Sequence, residues 1–288
     1  MRIVLIALII FSVASLSLAQ PGFRNSPSKR IYKLEFSTHF NDEIQFVYPD
    51  TINNQFLGQL RNENNLLELT KNCKTVLEKV LVVTNWANKQ WKHNGNNEPS
   101  KSDALTILKE AKQGNKFRCV EYGIVLASAL NSIGVKSRVL ALKTKDVEIV
   151  KAGAGHVLAE AYLDDLKKWV MLDAQFNLVP VLNDVPLNAV EFQQTIVRQA
   201  KFKLIDKNGK VVGKRFKQYM GFIPQYLYFF DYAFDQRSVA RDDKLTVNGK
   251  KKVMLVPLGA QNPSVFQINS KIDYCLYTNS IVDFYRVP

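Results

Sequence analysis

The chain has 288 residues, 47% of them hydrophobic and 23% charged, enough to bury a normal core and unlike a disordered or fibrous chain. Its formal charge of +13 suits contact with anionic surfaces or polymers. No helix-turn-helix, zinc-finger or ribonucleoprotein pattern accompanies that charge, which argues against the common nucleic-acid-binding modules and leaves the lysines, densest from Lys207 to Lys217, as a solvated surface.

At the N-terminus, Arg2, the apolar run from Ile3 to Val13 and the small-residue stretch ending in Ser17-Leu18-Ala19 predict a leader over 1–19, cleaved before Gln20. The apolar run is shorter than the roughly 20 residues a spanning helix needs, so the expectation is an exported protein, secreted or periplasmic, with no membrane span. Loss of Arg2 with the leader lowers the charge from +13 to +12. Residues 20–64 read as a strand-rich lead-in, with short strands over 31–36 and 44–48. A helical pattern follows from about 65 to 90, with Leu77, Val80, Leu81 and Thr84 on one face. Ser102-Asp103 looks like an N-cap for a helix to about Lys112, stopped by Gly114.

The stretch from Cys119 to Ile133 predicts a helix apolar on most sides, hence buried, with Gly134 at its C-terminal stop. Strands are expected over 135–142, 156–163 and 168–173. A helix followed by consecutive strands indicates α+β architecture rather than a parallel α/β sheet. Beyond that, 185–200 reads as helical and 201–219 as a basic strand-turn-strand unit around Asn208-Gly209. Aromatics crowd from Phe216 to Phe234, and 245–287 alternates like β-structure.

Chemistry concentrates in three places. Cys119 begins a helix, where unpaired N–H groups and the positive end of the macrodipole favour thiolate, with Arg118 beside it. The other cysteines, Cys73 and Cys275, either pair or act as small buried hydrophobes. A thiolate nucleophile needs a base and the base an orienting partner. Of the three histidines, His156 opens a strand after Gly153-Ala154-Gly155, where small residues leave room for a substrate; His39 and His93 lie in polar segments. A two-residue Asp164-Asp165 loop would set His156 directly opposite Asp173 on one sheet face, Cβ atoms about 4.5–5.5 Å apart. The carboxylate could then fix the imidazole.

Phe117-Arg118-Cys119 at a helix start, Gly134-Val135-Lys136-Ser137-Arg138 turning into a strand, Gly155-His156 and Trp169 through Asp173 together resemble the transglutaminase-like superfamily over roughly residues 70–178. The resemblance implies an α+β, papain-like core over 65–180, the nucleophile on a helix N-terminus packed on an antiparallel sheet, with a β-rich C-terminal extension over 181–288. Position by position it implies Cys119 as nucleophile, His156 as base and Asp173 as orienting acid. The implied activity is acyl transfer or amide and peptide hydrolysis through a thioester, on a protein or peptide substrate and without a cofactor. Some animal relatives need calcium, but no carboxylate-rich loop indicates it here. Relatives also include enzymes that release asparagine-linked glycans. One departure stands out: Phe117 occupies the position two before the cysteine where the family usually has glycine. The Cys119 backbone N–H is one oxyanion donor, and Gln90 or Trp91 could supply a second. The alternative reading is a module of the same fold that binds peptide or glycan without turnover.

Overall fold

The computed structural model describes residues 23–238 and 241–288; the expected leader and its cleavage site lie outside them. The fold is α+β. In chain order the elements are α1 (Gln55–Glu63), α2 (Leu66–Thr70), α3 (Val76–Asn88), α4 (Ala104–Lys112), α5 (Cys119–Ser132), β1 (Ser137–Lys143), β2 (Gly155–Leu163), β3 (Lys168–Leu172), β4 (Val179–Leu182), β5 (Val185–Pro186), α6 (Ala189–Val197), β6 (Lys203–Asp206), β7 (Gly209–Val211), α7 (Gly213–Met220), a 3-10 turn (Ile223–Tyr226), β8 (Phe229–Ala233), β9 (Lys252–Leu255), β10 (Val265–Phe266), β11 (Ser270–Lys271), β12 (Cys275–Thr278) and α8 (Ile281–Phe284).

Six strands form the central sheet in the order β12-β9-β8-β1-β2-β3. Only β12 and β9 run parallel; the other pairs are antiparallel. The hairpin β1–β2 joins segments close in sequence, whereas β8, β9 and β12 arrive from the C-terminal third and extend the same sheet beyond β1. Alternation along β2 and β3 divides the interior in two. Ala159, Ala161, Leu163, Val170 and Leu172 face α3, α4 and α5, while Leu158 and Met171 face a core built with Phe192, Phe230, Tyr232 and Phe284.

Helix α5 is the best-buried helix, as its sequence predicts; Val125, Leu126, Ala129 and Leu130 are inaccessible or nearly so. It ends at Gly134, whose φ of +84° suits glycine, with Val135 N–H returning to Leu130 O at 3.0 Å. It packs on β2 with no room to spare at Gly123. A Cβ there would lie 3.0 Å from both Leu158 O and Val157 Cγ1, and the carbonyl cannot rotate away. Gly123→Ala would gain about 1 kcal/mol of helix propensity and lose about 1–3 kcal/mol to overpacking. The expected outcome in urea unfolding is a net loss, with the first turn of α5 displaced from β2.

Several local expectations change. Residues 31–36 and 44–48 form no strands; the lead-in crosses the fold through isolated bridges at Ser37–Ser280 and Val47–Asp235, with α1 at its end. These segments make scattered backbone hydrogen bonds, such as Leu258 N–H to Glu35 O, but no continuous ladder, so alternation alone does not make them sheet. The helix expected over 65–90 is broken between Thr70 and Val76, where Thr75 caps α3 by accepting from Glu78 N–H. The hairpin near Asn208-Gly209 forms as β6–β7, but the chain then enters α7 rather than a second long strand. Cys73, Cys119 and Cys275 are all free thiols, so the pairing left open for Cys73 and Cys275 is not made. No helix among the described residues is long and apolar enough to cross a membrane.

Candidate active site

Cys119 is the first residue of α5 and is partly open to solvent. The helix start is held by Glu121, which is fully buried and accepts from Arg118 N–H at 3.0 Å, half of a capping box. The same carboxylate takes the Arg118 guanidinium at 2.8 Å, and Glu98 takes its other side. Arg118 is therefore committed to two carboxylates, and its expected help to a Cys119 thiolate is largely neutralised. Phe117, where the family pattern has glycine, is completely buried with its ring edge-on to Trp91 at 5.7 Å, and its carbonyl accepts from Asn94 N–H at 2.8 Å.

His156 lies at the start of β2, on the sheet face turned towards the C-terminal core, and is 1% exposed. Its Nε2 is 2.9 Å from Asp173 Oδ2. The expected register does not produce this contact. The β2–β3 connection is the four-residue loop 164–167, with Lys167 at φ +52°, and it sets Leu163 opposite Lys168 and Ala159 opposite Leu172. Asp173 thus comes level with Leu158 rather than His156. A shift of two residues keeps both side chains on one face, and the diagonal separation of about 7–8 Å is within their combined reach. Asp173 also leaves the strand: it bridges to Leu178 and its Oδ1 accepts from Phe176 N–H at 3.2 Å, closing the turn 174–177. Asn88 of α3 binds the Ala174 and Gln175 carbonyls of that turn at 2.8 and 3.0 Å.

The electrostatics follow from this packing. Burial alone would push the His156 imidazole towards neutrality, but the Asp173 carboxylate, by charge and by hydrogen bond, together with Cys119, pushes its pKa up from 6.5 to about 10. With Nε2 on Asp173, Nδ1 is the nitrogen left for the sulfur. Cys119, His156 and Asp173 are brought together, although their chain positions are far apart.

Three features escape a sequence reading. The space beside Gly153-Ala154-Gly155 is not open, as expected, but filled: a Cβ on Gly155 would meet the Phe266 ring at 3.1 Å, and Gln267 Oε1 accepts from Ala154 N–H. Phe222 and Tyr226, from the segment after α7, pack on the imidazole with ring centroids 5.1 and 5.9 Å away. His93 is also a neighbour; burial, then the nearby His156, pushes its pKa down, with Asp173 and Glu121 opposing. None of these carries a sequence signal, because each contact spans a fold-dependent distance. Of the two further oxyanion donors, Gln90 turns one amide N–H to Trp86 O at 2.9 Å. Trp91 Nε1 is buried without a hydrogen-bond partner among the described residues, its ring 4.4 Å from Tyr122 in the first turn of α5.

The sequence profile of the transglutaminase-like superfamily matches residues 65–174, a segment that contains Cys119, His156 and Asp173. Residues 65–174 are thus similar to a transglutaminase-like core. No curated protein matches the chain. Solved structures with partial overlap include a protein described as a "Putative Cysteine Protease" from Cytophaga hutchinsonii, at 16% identity over 46% of each chain with a TM-score of 0.33. A "TGase" overlaps at 18% identity over 41% of this chain and 30% of its own, with a TM-score of 0.29. A "putative protease" from Parabacteroides distasonis overlaps at 17% identity over 54% of this chain and 30% of its own, with a TM-score of 0.30. The chain spans less than half the length of each, and overlaps this loose carry no argument about activity.

Proposed function

We propose that the protein is an exported cysteine-dependent acyl transferase or amide hydrolase in which Cys119 is the nucleophile, His156 the base and Asp173 the orienting acid. The observation that carries the reading is the buried His156–Asp173 contact at 2.9 Å beside a solvent-accessible cysteine on a helix N-terminus. The transglutaminase-like core supports it.

In the proposed reaction the Cys119 sulfur attacks a carboxamide or peptide carbonyl, forming a C–S bond. Negative charge collects on the carbonyl oxygen, for which the Cys119 backbone N–H at the partly open start of α5 is the available donor. His156 then gives its proton to the leaving nitrogen as the C–N bond breaks, leaving a thioester. Water or a second amine attacks that thioester, His156 takes the proton, and the sulfur departs. Hydrolysis releases an acid; amine capture forms a new amide.

The test starts with protein recovered from its native compartment, whose intact mass should begin at Gln20. That protein and a Cys119→Ala control are incubated with a peptide library and a tagged primary amine, and products are read by mass. Cleaved peptides identify a hydrolase and amine adducts a transferase. Identical profiles from the two proteins would sink the enzyme reading in favour of a binding module.

A further inference from the structure

Helix α7 belongs to the C-terminal half of the chain, yet it addresses the turn that carries Asp173. Its residues Arg215 and Tyr219 lie one helical turn apart and so share a face. Arg215 Nη2 donates to the Phe176 and Asn177 carbonyls at 3.0 and 2.7 Å, while Nη1 pairs with Asp206 at 2.7 Å. Tyr219 is fully buried, its ring 5.0 Å from that of Phe176, whose backbone N–H is bound to Asp173 Oδ1. The Tyr219 hydroxyl has no well-formed hydrogen bond among the described residues, although it is close enough to Asp173 for that carboxylate, after burial itself, to hold its proton on. A buried hydroxyl is seldom left without a partner. Here a carboxylate with unused acceptor capacity lies close by, since Asp173 spends one lone pair on His156 and one on Phe176 N–H.

We propose that Tyr219 is a positioning residue: its hydroxyl donates to Asp173 when His156 is protonated, locking the rotamer from which Asp173 holds the imidazole. The proposal rests on the reading of Cys119, His156 and Asp173 given above. It assigns the C-terminal half a part in the chemistry beyond completing the sheet. The groups facing the imidazole are Asp173 from the β3 turn, Cys119 from α5, His93 from the loop after α3 and Tyr226 from the segment after α7, so a titration must separate Tyr219 from these.

Tyr219→Phe keeps the ring and removes only the donor. In the full chain, the His156 titration followed by NMR should move to lower pH by about one unit, a tenfold loss in preference for the protonated form. The thermal midpoint should be nearly unchanged. Titrations that superimpose would overturn the proposal. Should the variant not fold, 3-fluorotyrosine placed at 219 supplies the second measurement. Its fluorine resonance should move with the His156 titration and stop doing so in Asp173→Asn; a resonance silent through that titration in the unsubstituted background would also overturn it. The enzyme reading fails separately, on a Cys119 in the unsubstituted protein no more reactive than free cysteine.

Discussion

In the folded protein at pH 6, iodoacetamide will alkylate Cys119 faster than free cysteine, and Asp173→Asn will cut that rate at least tenfold. Three forces act on the His156 imidazole. Burial disfavours its charge; the Asp173 carboxylate at 2.9 Å and the Cys119 sulfur favour it, and they win, with a pKa pushed up to about 10. An imidazolium beside the sulfur stabilises thiolate, which is the form that reacts. Asparagine has the shape of aspartate without its charge, so in the variant burial has less to oppose it and the imidazole loses its proton more readily. Burial is the largest influence on the imidazole, so with the carboxylate gone the group should fall from about 10 to below its ordinary 6.5 and lose much of its charge at pH 6, which is the source of the rate loss.

The same shift sets a pH window. Leaving-group protonation needs imidazolium, so turnover should hold through neutral pH and fail on the alkaline side near about 10, and that limb should move down in Asp173→Asn. For stability the sign is that of a raised histidine. The contribution is complete below 6.5, the unfolded value, and is lost as pH rises through about 10. Thermal unfolding across that window should therefore weaken more in the unsubstituted protein than in Asp173→Asn. Equal alkylation rates in the two proteins would show that the carboxylate does not act on the imidazole.

Arg138→Ala should be the most destabilising single change outside the candidate site, by about 3–5 kcal/mol in urea unfolding. Arg138 and Glu160 are cross-strand neighbours on β1 and β2, both fully buried, and the guanidinium donates to Glu160 Oε2 at 2.6 and 3.1 Å. It lies over the Tyr232 and Trp169 rings at 3.8 and 4.1 Å and donates to Phe284 O at 3.0 Å, tying α8 to the sheet. Removing it strands a carboxylate in the core and empties a space lined by aromatic rings. Glu160 Oε1 has other duties, accepting from Ala189 N–H at 3.1 Å and the Tyr285 hydroxyl at 3.0 Å. Arg138→Met combined with Glu160→Gln should therefore recover part of the loss, since the amide oxygen still accepts and no charge is stranded. If the double variant is less stable than Arg138→Ala, the stranded-charge account is wrong and packing around the guanidinium dominates.

Legibility in the sequence tracked how local each interaction is. Helix α5 could be read from its apolar run and Gly134, and Asp103 as an N-cap is borne out by its bond to Thr106 N–H at 2.9 Å. The pairing of His156 with Asp173 was legible only in part. Alternation requires both on one face, but the loop length, four residues rather than two, moved Asp173 into a turn closed by its own side chain. The lead-in strands failed because alternation records a possible ladder and not its partner. Arg118 misled because the carboxylate that neutralises it, Glu121, looks from sequence like ordinary helix polarity.

By itself the chain's order of residues determined the core helix with cysteine at its head, the antiparallel strands behind it and the three chemical groups in family order. These depend on hydrophobic period, caps and turns, all set within a few residues. Only the tertiary structure decided that β8, β9 and β12 extend the same sheet, that Phe266 fills the space beside Gly155, and that Tyr219 comes to rest on Phe176 in the turn that Asp173 closes. The β1–β8 pairing, Phe266 against Gly155 and Tyr219 against Phe176 each join segments more than 40 residues apart, where no local periodicity exists and packing of the whole interior chooses the partner.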